Sequence, residues 1–273
     1  MKQESNELQQ LLTQAESEKE NESKLNDFLS TSVTKDPKKI GKLQSKISAK
    51  VHTKQAAQLI QGHKIVSGDK ASQNYKAMGL YSFSTRSAIL EAAIKKDDPY
   101  ADLVFYYIHE EVNVTRQELK EKITYFKNWI KDSIPKSLEI TEVTNIKPVE
   151  MDFKFNSAMA FQVMYLILEL DEYFRLIKLA QHIALIDTAQ ANKTIQDNRR
   201  NVRRIMNMVS QYKHTDVTRN DIAANNQRAQ KAAQVMPSIE LTEDILGGTK
   251  RSTLAPFVAA RPELLPINEE EQS

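Results

Sequence analysis

Two short segments of this chain alternate between apolar and polar residues, and both predict strands. Residues 43–51 place small or apolar residues on one face and polar, mostly basic residues on the other. Residues 146–155, IKPVEMDFKF, alternate in the same way, with Glu150 and Asp152 on their polar face. A period of two residues is typical of a strand with one buried face.

Elsewhere the apolar residues recur every three or four positions, which predicts helices. The helix that follows the first strand would begin after Thr53, whose hydroxyl can accept a backbone N–H of the first turn. The segment 157–180 is apolar on nearly all sides, which indicates a central helix or one shared with a partner subunit. The predicted helices span 54–61, 86–95, 99–131, 157–180, 187–212 and 219–235.

These patterns predict an α+β fold that is mostly α-helical, and they divide the chain into three parts. Residues 1–41 are polar and are expected to form a flexible N-terminal segment. Residues 42–236 contain both strands and the helices and are expected to form the folded domain. Residues 237–273 contain several prolines and end in NEEEQS, so we expect a disordered C-terminal tail.

Charge is distributed unevenly along the chain, although the formal net charge is only +2. Residues 41–80 carry seven lysines and one acid, and residues 196–235 carry eight basic and three acidic residues. Two basic blocks in a nearly neutral chain favour a polyanionic partner, of which nucleic acid is the usual one. We expect no membrane contact, because neither block has the aromatic or leucine stripe of an interfacial helix.

The strand at 43–51 is the first candidate for contact with DNA. A two-stranded ribbon fits the major groove, where Lys can donate to guanine and Gln can bond adenine. Such a ribbon would pair this strand with its twin across a dimer, whereas the alternative is a half-buried edge strand with solvated lysines. The expected base-reading residues are Gln44, Lys46, Ser48 and Lys50, and the expected phosphate contacts beside them are Lys42, Thr53 and Lys54.

A second candidate is a group of four arginines in QDNRRNVRRIMNMV, residues 196–209. Their spacing places them in one stripe on a helix, from which guanidinium groups can bind phosphates in a bidentate manner. The alternative is a solvated or salt-bridged face. The stripe consists of Arg199, Arg200, Arg203 and Arg204.

The basic stretch KRST at 250–253, with Arg261 nearby, is either a DNA-binding arm or, as we favour, part of a solubilising tail.

No spacing in the sequence predicts catalysis or a metal site. The chain has no cysteine, and its five histidines follow no metal-ligand spacing such as HExxH. Its six glycines form no phosphate-binding loop. We therefore expect a protein that is not an enzyme and that holds no cofactor or metal.

Four stretches of the chain resemble the AcaB-like family of transcriptional regulators, which are encoded on integrative conjugative elements and large conjugative plasmids. The resemblance extends over residues 40–250 and departs from the family pattern at Asp216, where glycine is expected. The stretches are VHTKQAAQLIQG, KKDDPYADLVFYYIHE, IKPVEMDFKF and SQYKHTDVTRNDI.

The resemblance implies a ribbon-helix-helix protein that binds promoter DNA as a homodimer and activates conjugative-transfer genes. It further implies a cytoplasmic, nucleoid-associated protein, with RNA polymerase or other transfer regulators as partners. Two other functions stay open: an accessory protein of the conjugation apparatus that acts through protein contacts, and a non-specific DNA-binding protein.

One feature of the chain fits the ribbon-helix-helix design poorly. Such modules join their two helices by a few residues, whereas a long loop separates the helices at 54–61 and 86–95. Either this loop is an insertion, or the ribbon is the second strand, 147–155. We disfavour the second option, because phosphates would repel Glu150 and Asp152; that strand could instead pair with 43–51 inside one subunit.

Overall fold

The computed structural model describes residues 47–62, 77–138, 140 and 144–260. Within these ranges the chain is mostly helical with one small antiparallel sheet, which confirms the predicted α+β class. The expected flexible segment, 1–41, and its boundary lie outside the described residues. The elements are β1 (Ile47–Val51), α1 (Lys54–Gln61), α2 (Leu80–Ile94), α3 (Pro99–Ser133), β2 (Val149–Phe153), α4 (Ala158–His182), α5 (Thr188–Met208), α6 (Arg219–Ala223), α7 (Gln227–Val235) and α8 (Glu243–Gly247).

The two strands pair with each other inside one subunit. Ile47 lies opposite Phe153, and Val51 lies opposite Val149. Val51, Met151 and Phe153 are buried on the inner face, which packs against the helices. Because this register places the apolar residues of both strands on one side of the sheet, the helices on that side cover them together. Within this chain, the partner of β1 is therefore β2.

Helix α4 is central to the helical core. It packs against α3 and also contacts α1, α2 and α5, which explains why its apolar residues lie on nearly all sides. Its fully buried side chains include Met159, Leu166 and Phe174. None of the helices in the described ranges combines the length and the apolar character that crossing a membrane requires.

Side-chain caps hold the starts of three of these helices. The Thr53 hydroxyl accepts from Ala56 N at α1, and the Ser157 hydroxyl accepts from Ala160 N at α4. At α3, Asp98 caps the first turn, in which Pro99 removes an N–H that would have no helical partner. Each cap residue directly precedes the first turn that it caps, so a local sequence pattern is sufficient to locate these starts.

Helix α2 begins more than one turn before its predicted start at residue 86. Its N-cap is Gly79, and Leu80 and Phe83 of its first turn are fully buried. Ser84 and Thr85, the two candidate caps for a start at residue 86, both lie inside the helix. There the Thr85 hydroxyl donates to the Tyr81 carbonyl oxygen over 3.2 Å. Burial of the first turn therefore extends the helix beyond the local capping signal.

The single helix predicted over 219–235 is two helices. Thr218 and Asp221 form the capping box at the start of α6, as their spacing predicts. Asn225 then adopts a positive φ of 45°, and the Asn226 side chain caps α7. A left-handed residue cannot continue an α-helix, so the chain turns between the two segments.

The described part of the expected tail, 237–260, is folded, contrary to the prediction of disorder from residue 237. It contains α8, and Arg251, Ser252 and Val258 are buried. The Ser252 hydroxyl lies 3.0 Å from Nδ1 of His109 on α3. This segment packs on α3 because its polar residues find buried partners there. The remainder of the expected tail, 261–273, lies outside the described residues.

Candidate nucleic-acid interface

The outer face of the sheet holds two of the residues that were predicted to read bases. Ser48 and Lys50 are exposed there. The other two, Gln44 and Lys46, lie outside the described residues, as does Lys42. The reading role of this strand stays a prediction.

This outer face carries charges of both signs. Ser48 lies opposite Asp152 and Lys50 lies opposite Glu150, and both acids are exposed. Opposite charges that face each other across two strands stabilise a sheet. The same carboxylates repel phosphates, so the face attracts DNA less than the basic alternation of 43–51 alone would indicate.

The start of α1 is occupied by a carboxylate of the protein itself. Thr53 is 5% exposed, and its backbone N–H and its hydroxyl donate to Oδ1 of Asp171 over 2.8 and 2.6 Å. His52 N donates to Oδ2 of the same residue over 2.9 Å. A helix N-terminus favours an anion, and Asp171 supplies it. The predicted phosphate contact at Thr53 therefore conflicts with its burial, whereas Lys54 beside it is exposed.

The predicted arginine stripe lies on one face of α5, here called the arginine face (Arg199, Arg200, Arg203 and Arg204). Arg200 and Arg204 are exposed, and the other two arginines are half-buried. Arg200 pairs with Asp197 over 3.3 Å, and Arg204 pairs with Glu111 over 2.6 Å. Exposed pairs of this kind contribute only about 0–1 kcal/mol. Either guanidinium can therefore exchange its carboxylate for a phosphate at little cost.

Arg199 joins the arginine face to α1. Its guanidinium donates to Oε1 of Gln58 over 2.8 Å and to Oε1 of Gln196 over 3.2 Å. Burial and, after it, the nearby charge of Arg203 lower the pKa of Arg199. An arginine stays protonated nonetheless. The shift in pKa thus reflects an unfavourable positive charge, which a bound anion would stabilise.

A groove of about 630 Å³ runs beside the C-terminal half of α5. None of the described residues that line this groove is acidic. Asn207 and Gln211 were not among the predicted contacts, although steps of four residues from Arg203 place all three on the same side of the chain. The lining consists of Arg200, Arg203, Arg204, Asn207, Met208 and Gln211.

The two motifs DDPYAD and HTDVTR meet in a buried ion network. Arg219 donates to Asp97 over 2.9 Å and to Asp102 over 2.8 Å, and Arg251 donates to Asp102 over 2.9 Å. All four side chains are at most 6% exposed. The network links α3, α6 and the C-terminal segment, so these motif residues stabilise the fold and cannot contact a ligand from solvent.

The same network corrects the interpretation of the basic stretch KRST. Arg251 is buried in an ion pair and is not part of a flexible arm or a solubilising tail. Lys250 lies over the rings of Tyr106 and Tyr107, with Nζ 5.2 and 5.3 Å from their centres. Arg261 lies outside the described residues.

A hydrogen-bonded chain of Asp98, Tyr212 and His214 is a further contact between the DDPYAD and HTDVTR motifs. The Tyr212 hydroxyl donates to Oδ2 of Asp98 over 2.8 Å and lies 3.0 Å from Nδ1 of His214. Burial raises the pKa of Asp98 and also that of Tyr212. In the described part of the chain, no three His, Asp or Glu side chains are placed to hold a metal ion.

A family model for the transcriptional regulator AcaB matches residues 39–259. The chain belongs to the AcaB family of transcriptional regulators. A crystal structure of selenomethionine-containing AcaB from uropathogenic E. coli is 13% identical in sequence, with a TM-score of 0.49 over 76% of this chain and 96% of that chain. No curated protein matches this sequence.

The AcaB match includes the sheet, the arginine face and both motifs, and it ends within the C-terminal segment that packs on α3. At Asp216, where the AcaB-like pattern leads us to expect glycine, φ is 52°. This left-handed region favours glycine. The Asp216 carboxylate contacts Lys96 over 3.4 Å and His214 over 3.1 Å. These contacts help to hold a residue with a side chain in this conformation.

Proposed function

We propose that this AcaB-family protein is a sequence-specific regulator that binds double-stranded DNA through the arginine face and the groove beside it. The composition of the groove carries the proposal: three guanidinium groups and two side-chain amides, with no acid among its described lining residues. Guanidinium groups contact phosphates and guanine, and amides bond adenine. Together they supply both the positioning and the reading contacts of a DNA-binding surface.

The shape of α5 suits this role. A helix of its 21 residues is about 31 Å long and 10–12 Å wide, and the major groove is about 12 Å wide. Arg86 of α2 donates to the Ser210 hydroxyl over 3.2 Å and extends the basic surface past the end of α5. With α5 against DNA, Arg86 would reach a flanking phosphate.

The outer face of the sheet is a second contact in this proposal. Ser48 and Lys50 would meet DNA together with Gln44, Lys46 and Lys42, while Lys54 would contact a phosphate. Glu150 and Asp152 weaken this contact, so we rank it below the arginine face. A dimer that joined two β1 edges would create four strands, about 14 Å across their backbones, which is wider than the major groove. We propose that a homodimer instead presents two arginine faces to two half-sites.

The regulated genes in this proposal are those of conjugative transfer on a mobile element, and the protein activates them at the nucleoid. RNA polymerase or another transfer regulator would be its partner there. The support for these points is the resemblance to the AcaB-like family.

The proposal is tested by the affinity of the purified full-length protein for a promoter fragment of its mobile element, compared with scrambled DNA of equal length. Fluorescence anisotropy over a series of salt concentrations gives both the affinity and its salt dependence. For Arg200→Ala/Arg204→Ala we expect weaker binding and a salt slope that is smaller by about 1 for each lost phosphate contact. The matched control is Lys120→Ala/Lys122→Ala, which removes two exposed basic residues of α3.

Each outcome decides a part of the proposal. Equal effects of the arginine and the lysine variants would exclude the arginine face, and equal binding of both fragments would indicate a non-specific DNA-binding protein. No binding to either fragment would favour an accessory protein that acts through protein contacts. The variant Ser48→Ala/Lys50→Ala tests the sheet separately, because a base-reading role predicts loss of the preference for the promoter.

A further inference from the structure

We infer that two side-chain amides, those of Asn207 and Gln211, read adenine in the DNA that this protein binds. The inference rests on the proposed function and assigns different tasks to the residues of the groove beside α5. Both amides line that groove, and both residues are exposed. The guanidinium groups hold phosphates, whereas the amides determine which base pairs are accepted.

A side-chain amide matches only one base edge of the major groove with both of its polar groups. It contains an acceptor, the carbonyl oxygen, and a donor, the NH2 group. Adenine presents an acceptor at N7 beside a donor at N6, whereas guanine presents two acceptors there and a phosphate presents acceptors alone. At guanine or at a phosphate, the amide oxygen would face another acceptor. Adenine is therefore the base that suits Asn207 and Gln211.

The amides of Asn207 and Gln211 are available for this contact. Within the described part of the chain, neither side chain forms a hydrogen bond. The two preceding asparagines of α5 are engaged, because Asn198 donates to a backbone carbonyl oxygen of its own helix over 2.8 Å and Asn201 Oδ1 accepts from Arg204 over 3.1 Å. No bond within the described residues has to break before either groove amide contacts a base.

The position of Asn207 on α5 suits base edges better than the DNA backbone. Around the circumference of the helix, Asn207 lies between Arg203 and Met208, the half-buried residues at the two margins of the exposed face. When such a face lies in the major groove, its middle faces the base edges and its margins face the phosphates. Asn207 therefore lies where sequence is read.

The distance between the two amides suits two base pairs that are separated by a third. One α-helical step and three 3-10 steps lead from Asn207 to Gln211, which is about 7 Å along the axis. Two steps between base pairs, at about 3.4 Å each, span about 6.8 Å. A helix that follows the major groove therefore places these amides two base-pair steps apart.

The test is a selection of bound duplexes from a library with a randomised centre, carried out with the purified full-length protein and analysed by sequencing. Among the enriched sequences we expect two A·T pairs separated by one base pair. Asn207→Ala and Gln211→Ala should each lose the preference at one of these pairs, where discrimination between bases falls by about 5- to 150-fold. The matched control is Asn192→Ala, which changes another exposed asparagine of α5 outside the groove and should retain both preferences.

A modified base tests the contact itself. 7-Deazaadenine lacks the N7 acceptor but still pairs with thymine. At the position that Asn207→Ala ceases to select, this base should weaken the binding of the wild type and of Asn192→Ala. It should leave the affinity of Asn207→Ala unchanged, because that variant makes no contact to lose.

The outcomes separate this inference from the proposed function. If sequences are enriched but Asn207→Ala and Gln211→Ala select the same bases as Asn192→Ala, the inference is wrong and the sequence-specific regulator stands. An equal effect of 7-deazaadenine on the wild type and on Asn207→Ala would also overturn the inference. If no sequence is enriched, the proposed function itself fails, and the inference fails with it.

Discussion

Replacing Asp102 by asparagine tests whether the buried ion network holds the C-terminal segment on α3. Asp102 is 1% exposed, and its Oδ2 accepts from Arg219 over 2.8 Å and from Arg251 over 2.9 Å. With Asp97, the network contains two cations and two anions. Asparagine keeps the size of the side chain but leaves one positive charge in excess. Removing one partner of a buried ion pair costs about 3–5 kcal/mol, so we expect a loss of that size.

Urea unfolding followed by circular dichroism measures this loss. With a slope of about 3 kcal/mol per M, the midpoint should fall by about 1–1.7 M. The control Glu118→Gln removes an exposed ion pair with Lys122 (3.1 Å) and should cost less than about 1 kcal/mol. If Asp102→Asn costs no more than this control, the network does not stabilise the fold and the reasoning fails.

Three further substitutions test other contacts of the fold. Tyr212→Phe removes the hydroxyl that donates to buried Asp98, and we expect urea unfolding to show a loss of about 1–3 kcal/mol. Asp171→Asn weakens the charged acceptor of the α1 start and should lower stability by about 1.5–3 kcal/mol, measured by thermal unfolding. Burial lowers the pKa of His109, whose ring contacts Ser252. As the pH falls below 6.5, this histidine is therefore protonated in the unfolded chain before it is protonated in the folded chain, and the stability of the fold should decrease. In His109→Gln the dependence of stability on pH in that range should be smaller; an unchanged profile would assign it to other groups.

Local patterns were sufficient for the parts of the fold that neighbouring residues determine. Thr53 and Ser157 cap the helices that follow them, and alternation predicted the buried faces of both strands. Local patterns failed where distant packing decides. Gly79 is a weak capping signal, yet α2 begins there because Leu80 and Phe83 are buried by other elements.

Charged residues were the hardest to interpret from the sequence. The residues around Arg251 have the composition of a solvated tail. Its partner Asp102 is 149 residues away in sequence, so no local pattern identifies the pair. Asp171 lies in an apolar helix, where a buried carboxylate must have partners, but the sequence did not identify the start of α1 as the donor. The sequence also showed Glu150 on the second strand but did not determine that it faces Lys50, because it left the pairing of the two strands open.

The residues that make the family recognisable and the residues proposed to bind DNA belong to different parts of the molecule. Asp102 and Arg219 of the DDPYAD and HTDVTR motifs are buried, so their substitution should lower stability and, through unfolding, DNA binding together. Arg200 and Arg204 are exposed and pair only weakly with surface acids in the described part of the chain, so their substitution should lower DNA binding at nearly unchanged stability. Measuring both quantities for each variant therefore separates residues that maintain the fold from residues that use it.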